Sequence, residues 1–450
     1  MAKEEKSIPD EPATKVNRRQ FLKLGASTGI AMAAATAALE GGALVDPKQA
    51  YAGVIKTHDE IPYEIPADHK RYNQRNHMFG RARSGDPEVG KMAEHFLSHR
   101  FNGYDGVESP GYTVLDGAAA RASFALDWYV NGENGSGNSN TGLYAWRPKL
   151  IDFLFRWGDP DRNIHSPGVK SPEEGTMAVK RMAKYFGAHS VGIAPYDERW
   201  IYTETFNGEA QKFTPPDFGF EPKHAIVMTI PMEYKGMSCA PTFLGSAEVG
   251  RAYNMCGVVA FSLSIFIKDL GYHAVAIGSD TSISIPQAIQ AGLGELGRMG
   301  LLVTPDLGPS VRICKVFTDM PLNHDKPISF GVTEFCNSCK KCAELCPSQA
   351  ISYDAQTTVG PSKISSASGV KKWYINPEKC WSCWGDDNVR SCCGACIAAC
   401  PYTKPEGWHH TLVRSITGTP GLSPIMKNMD DLFGYGKLYN EQAATDWWKE

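Results

Sequence analysis

The chemistry of this chain is written first in its cysteines. Four of the 13, Cys336, Cys339, Cys342 and Cys346, stand at C-x2-C-x2-C-x3-C, and Pro347 follows. This is the ligand spacing of bacterial modules that carry two iron–sulfur clusters. Three thiolates two residues apart on a tight loop can face three irons of one [4Fe–4S] cubane. The fourth, beyond a turn opened by Pro347, points to a different cluster, so a second run must exist. Cys393-x2-Cys396-x3-Cys400 supplies it, followed by Pro401, with Cys380 and Cys383 upstream. The expected ligand sets are therefore crossed. Cys336, Cys339, Cys342 and Cys400 hold one cluster; Cys346, Cys393 and Cys396 hold the other, completed by Cys380 or Cys383. Cys392 is a weaker candidate. Disulfide frameworks do not produce two C-x2-C-x3-C-P runs, and structural zinc sites usually pair two C-x2-C units.

These loops need a body to hold them. At about 150 residues per domain, 450 residues suggest two or three domains. Apolar residues make up 42% and charged residues 21%, enough to bury a large core and to exclude a disordered tail protein. The formal charge of −3 removes the electrostatic argument for nucleic acid or an anionic membrane surface. Glycine and proline follow no period, which excludes collagen and solenoid repeats.

Residues 131–142, NGENGSGNSNTG, read as a surface loop. Ser171-Pro172-Glu173-Glu174 starts a helix, with Ser as N-cap and Pro at the first position, running to about Phe186. Strands are expected at Val191–Ala194, Ala225–Ile230, Leu301–Val303 and Val311–Phe317, and a helix from Tyr253 to Leu270, ended by Gly271. The uncharged run from Met255 to Ile267 contains Ser262 and Ser264 and has the length of a buried core helix. The elements alternate without a strict βαβ rhythm, so the fold class is α+β. Ser and Gly residues at 365–369 separate the two cysteine-rich stretches. The isolated Cys239, Cys256 and Cys314 are expected to pack in the core.

The N-terminus reads as an address. Arg18-Arg19 precedes an uncharged stretch from Leu24 to Leu39, and Ala50-Tyr51-Ala52 offers a small-residue cleavage site. Paired arginines before a weakly apolar run point to the twin-arginine export route, with residues 1–52 as the signal peptide. That route carries folded, cofactor-loaded proteins, which reconciles iron–sulfur clusters with export.

Paired cubanes pass single electrons, and they leave most of the chain to house a terminal redox cofactor. Gly292-x-Gly294-x-x-Gly297 matches the dinucleotide fingerprint, but Pro286 to Ala291 before it reads as helix or loop, and no strand leads in. There is no C-x-x-C-H haem site. No D-x-H-x-x-G stretch marks a corrinoid with a protein histidine as lower ligand.

Several stretches together make the chain resemble the corrinoid/iron–sulfur reductive dehalogenases of organohalide-respiring bacteria. They are Arg18-Arg19-Gln20-Phe21-Leu22-Lys23, Leu270-Gly271-Tyr272-x-Ala274, Leu293-Gly294-Glu295-Leu296-Gly297-Arg298, Gly308-Pro309-x-Val311-Arg312, Thr318-Asp319-x-Pro321-Leu322 and both cysteine runs. The resemblance covers nearly the whole chain and looks closest to the branch acting on small chlorinated alkanes such as chloroform and trichloroethane.

The resemblance implies a nitroreductase-like α+β core that binds a base-off, cobalamin-type corrinoid. That core and the N-terminal region would occupy 53–328, the ferredoxin-like two-[4Fe–4S] domain 329–405, and a segment packing on the core 406–450. It implies that Gly294, Gly297 and Arg298 lie beside the corrinoid, where cob(I)alamin-type cobalt breaks the carbon–chlorine bond. Tyr253, placed at the start of its helix, becomes the proton donor and Arg312 its support. Ser279 stands where many relatives carry Asn. The match of Pro377-Glu378-Lys379-Cys380 to a recurrent P-x-K-C favours Cys380 over Cys383. The implied partners are a small chlorinated organic substrate, a small integral-membrane anchor subunit and a membrane-derived electron donor, with no nucleic acid. The implied location is the outer face of the cytoplasmic membrane. The rival readings are an epoxyqueuosine reductase-like enzyme, which export disfavours, and a non-catalytic electron carrier, which leaves most of the chain unexplained.

Overall fold

The computed structural model describes residues 55–92, 109–124, 168–207, 212–279, 281–386, 389, 391–405, 427, 430–431 and 434–449. The expected signal peptide 1–52, the loop 131–142, Asp280 and residues 406–426 lie outside them. The helices used below are α1 (Met78–Arg83), α2 (Val114–Ser123), α3 (Pro172–Tyr185), α4 (Phe243–Asp269), α5 (Ser284–Gln290), α6 (Val332–Cys339), α7 (Pro377–Trp384), α8 (Ala395–Ala398) and α9 (Glu441–Trp447). The strands are β1 (Ser190–Pro195), β2 (His224–Pro231), β3 (Ala274–Ile277), β4 (Glu295–Leu296), β5 (Leu302–Val303) and β6 (Val311–Thr318).

Four strands form the central sheet in the order β1-β2-β6-β3, each antiparallel to its neighbour. Side chains alternate across the pleat, and both faces are apolar. Ile226, Met228, Cys314 and Val316 pack with Val259, Leu263 and Ile267 of α4 and with Val179 and Ala183 of α3. The opposite face, Ala225, Val227, Val275, Ile277 and Phe317, is covered by Ala288 and Ile289 of α5. The result is the expected α+β class in three layers. Helix α3 starts at Ser171, whose hydroxyl accepts the Glu174 N–H.

Helix α4 corrects one expectation. It begins at Phe243, so Tyr253 lies in its body and not at its start. The glycines that resemble breakers are close-packing positions. A Cβ on Gly250 would come 2.6 Å from the Phe124 ring, and one on Gly245 would come 2.9 Å from Ala240 Cα. The helix is long and apolar enough to cross a membrane. Its Val259, Leu263 and Ile267 are nevertheless fully buried against the sheet, as in a core helix.

The cysteine-bearing helices α6, α7 and α8 are fastened to this core from both ends of the chain. Lys56–Thr57 pairs with Ile328–Ser329. Phe79 of α1 meets Trp381 of α7 edge-on, 4.4 Å between ring centres. The buried Arg81 donates to Glu378 at 2.8 Å. At the other end, Lys341 pairs with Asp430 and Asp431. Trp448 Nε1 donates to Asp116 of α2 at 2.7 Å.

Candidate active site

Tyr253 projects from α4, and Arg312 lies on the β6 face that packs on α4. Even-numbered residues of that strand, Cys314 and Val316 among them, point the same way. The Arg312 guanidinium accordingly lies 4.9 Å from the Tyr253 ring centre. Ser279 follows the end of β3. All three line one cavity of about 490 Å3, together with Phe124, Asn254 and Gly278.

Sulfur lines the same cavity. Asn376 caps α7 through the Lys379 N–H and Pro377 occupies its first turn, which sets Cys380 and Cys383 on that helix. Gly394, at φ +66°, turns the chain from Cys393 into α8, which carries Cys396. Cys346, Cys380, Cys383, Cys392, Cys393 and Cys396 all line the cavity. None of the 13 cysteines is in a disulfide.

The charge environment divides the sulfurs. Burial drives the Cys342 thiol far up, and Cys336, Cys400, Cys396 and Cys339 push it further. Burial raises Cys380 to about 12, helped by Cys396, Cys346 and Cys383. It raises Cys396 to about 11, helped by Cys346 and opposed by Arg312. Cys400, from the second run, thus sits with Cys336, Cys339 and Cys342, while Cys346, from the first, sits with Cys380 and Cys396. Cys383 lies instead against Cys393, whose hydrogen bond lowers it. Among the described residues no three His, Cys, Asp or Glu side chains converge to share a single metal ion. A cubane's ligands bind separate irons, so the thiols of one cluster need not converge on a single point.

Three expected cofactor-binding residues are placed elsewhere. Gly294, Gly297 and Arg298 do not line the cavity, although Met299 and Leu301 of the same hairpin do. A Cβ on Gly294 would stand 2.2 Å from the Val303 carbonyl oxygen, and one on Gly297 would stand 2.8 Å from Val303 Cγ2. These glycines allow β4 and β5 to close on each other. Arg298 points to the other cluster site, donating to the Cys336 carbonyl at 3.0 Å. Cys239, Cys256 and Cys314 are all buried, as expected, and Cys256 also lines the cavity.

Residues 77–79 complete the cavity, and no local signal marks them. His77 stacks on Phe79 with ring centres 5.5 Å apart, and its Nδ1 accepts the Phe79 N–H. The protein atoms around the cavity rim, then the Arg83 charge, hold its imidazole down to about 4, although the ring is open to the cavity. Phe79 meets Trp381 and Trp384, and the four rings form an aromatic wall beside Cys380 and Cys383. The two tryptophans of that wall come from the Trp381-Ser382-Cys383-Trp384 stretch of the cysteine-rich segment.

Residues 335–404 match the 4Fe-4S dicluster domain family, and the chain carries two [4Fe–4S] clusters. A tetrachloroethene reductive dehalogenase of Desulfitobacterium hafniense is 31% identical over 96% of this chain and 96% of its own. One of Sulfurospirillum multivorans is 34% identical over 77% of this chain and 74% of its own. A solved reductive dehalogenase, described as acting by B12-dependent dehalogenation, superposes with a TM-score of 0.64 at 22% identity. That match covers 88% of this chain and 50% of the other, so this chain spans half the length of that structure.

Proposed function

The chain belongs to the reductive dehalogenase family, and from that premise we propose that it removes chlorine from small chlorinated alkanes in the cavity beneath Tyr253. The observation that carries this reading is that one cavity is lined at once by Tyr253, Arg312 and Ser279 and by the second set of cysteines. The residues fit a corrinoid there. Tyr253 and the second set of cysteines line the space together, and Arg312, which also lines it, keeps a buried Nε with no hydrogen-bond partner. When bound, a base-off corrinoid supplies the low-valent cobalt that accepts electrons and acts on the carbon–halogen bond.

The overall change takes two electrons and one proton: R–Cl becomes R–H and chloride. Cys336, Cys339, Cys342 and Cys400 hold the outer cluster. Cys346, Cys380, Cys393 and Cys396 hold the one at the cavity. Tyr253 lines the cavity, where its hydroxyl is placed to give a proton to the carbon that loses chlorine. The adjacent Arg312 charge stabilises the tyrosinate left behind. Ser279 offers a hydroxyl on the same wall. Aromatic and aliphatic lining selects an apolar substrate by shape, because a chloroalkane offers few hydrogen-bonding groups. The curated relatives are named for tetrachloroethene, which makes chlorinated ethenes the second substrate reading.

On this reading residues 1–52 direct twin-arginine export. The enzyme then works on the outer face of the cytoplasmic membrane, bound to a small integral-membrane anchor and fed by a membrane-derived donor. The test is anaerobic purification with iron and cobalt analysis, then turnover of chlorinated methanes, ethanes and ethenes with reduced viologen. Cobalt near one per chain and fastest turnover of chloroalkanes are expected. A cobalt-free active preparation would overturn the corrinoid, and preference for ethenes would overturn the substrate class.

A further inference from the structure

Arg298 is 2% exposed, so its positive charge is buried inside the protein. Holding a charge away from water costs several kcal/mol unless a partner compensates it. Among the described residues Arg298 makes no ion pair. Its guanidinium donates to three carbonyls, those of Cys336 at 3.0 Å, Ser352 at 2.8 Å and Asp354 at 3.0 Å. It also lies 4.6 Å from the Trp373 ring centre. The nearby carboxylate of Glu295 is engaged with the Phe330 and Val332 N–H groups. The Arg298 backbone bonds the Cys336 thiol, so the residue grips Cys336 at both its sulfur and its carbonyl.

We propose that the missing counter-charge of Arg298 is the first iron–sulfur cluster itself, and that this guanidinium is the fixed internal cation that raises that cluster's reduction potential. Reduction adds one electron and one unit of negative charge, supplied by the low-potential donor that feeds the enzyme; no bond breaks and no proton moves. A fixed cation beside the ligand loop favours the reduced form by direct attraction in a poorly screened interior. The outer cluster thereby accepts the incoming electron more readily than its burial alone would allow. This inference rests on the ligand sets of the proposed function. The iron content of Cys336→Ser tests that reading separately.

The test is a potentiometric titration followed by electron paramagnetic resonance, using full-length, cofactor-loaded Arg298→Gln and Arg298→Lys. In Arg298→Gln one of the two cluster waves should move to lower potential while the other stays. Arg298→Lys, which keeps the charge, should leave both near their original positions. With iron fully retained, the proposal is overturned by unmoved waves, by both waves moving together, or by an equal shift in the lysine variant. If the glutamine variant loses the first cluster, iron content decides. Full loading of the lysine variant then supports charge compensation, and equal loss in both variants shows a packing role and overturns it.

Discussion

The two sulfur sites draw on cysteine runs that both contain C-x2-C-x3-C-P, and they differ in what surrounds them. Cys336, Cys339 and Cys400 stay off the cavity, among buried Phe330, Phe335, Trp373 and Tyr402. Fixed charges flank them: Arg298 on Cys336, and Lys341 with Lys404 held by Asp430. Cys346, Cys380, Cys393 and Cys396 open onto the cavity that holds Tyr253. The difference shows that the spacing specifies a cluster, while the neighbourhood specifies its duty. On the proposed reading the enclosed site accepts an electron and the one at the cavity delivers it.

The largest expected effects set the two sites directly against each other. Cys336→Ser and Cys346→Ser should each abolish turnover and lose about half the iron. Only Cys346→Ser, which alters the cavity wall, should also lower cobalt content. Equal cobalt loss in both variants, read by elemental analysis, would break the contrast. Tyr253→Phe comes next. Iron and cobalt should be retained while turnover drops about 100- to 10,000-fold, with Arg312→Lys retaining more activity than Arg312→Met. Wild-type rates from Tyr253→Phe would remove it as donor.

Gly294→Ala sharpens the comparison from the scaffold side. Its added methyl meets the Val303 carbonyl, so stability should fall by about 1–3 kcal/mol. Turnover per folded, loaded molecule should be unchanged. An unaltered melting temperature would exclude the close-packing role. The smallest effect concerns His77. Its folded-state pKa lies near 4, below the ordinary 6.5. On acidification the unfolded chain therefore takes up the proton first. The stability contributed by neutral His77 is present above pH 6.5 and is lost as pH falls toward 4. His77→Phe should flatten that part of the stability profile. A profile unchanged from wild type would show that His77 is not the group responsible.

The legible features were those whose information is local. Helix α3 was readable because Ser171 and Pro172 are a start signal that works through adjacent backbone groups. Strands β1, β2 and β6 appeared near their expected limits because apolar runs of that length are buried on both faces. Helix α4 begins ten residues before the expected Tyr253, and nothing in the sequence marks Gly250 as a close-packing helical position. Its contact with Phe124 comes from a different helix. The direction in which Arg298 points is illegible for a related reason. A shared motif reports that a residue matters, and only the fold shows that its guanidinium turns to Cys336 and away from the cavity.

Residue order alone marks a module for two iron–sulfur clusters in this chain, because cubane ligation depends on short loops whose reach is set by a few bonds. Tertiary structure alone decided which sulfurs share a neighbourhood and which face the cavity. It also decided that His77, Tyr253, Arg312 and Cys380, widely separated along the chain, line the same space. Such contacts follow from how a twisted sheet, a long helix and two fastened chain ends pack together, and no window of neighbouring residues encodes that geometry.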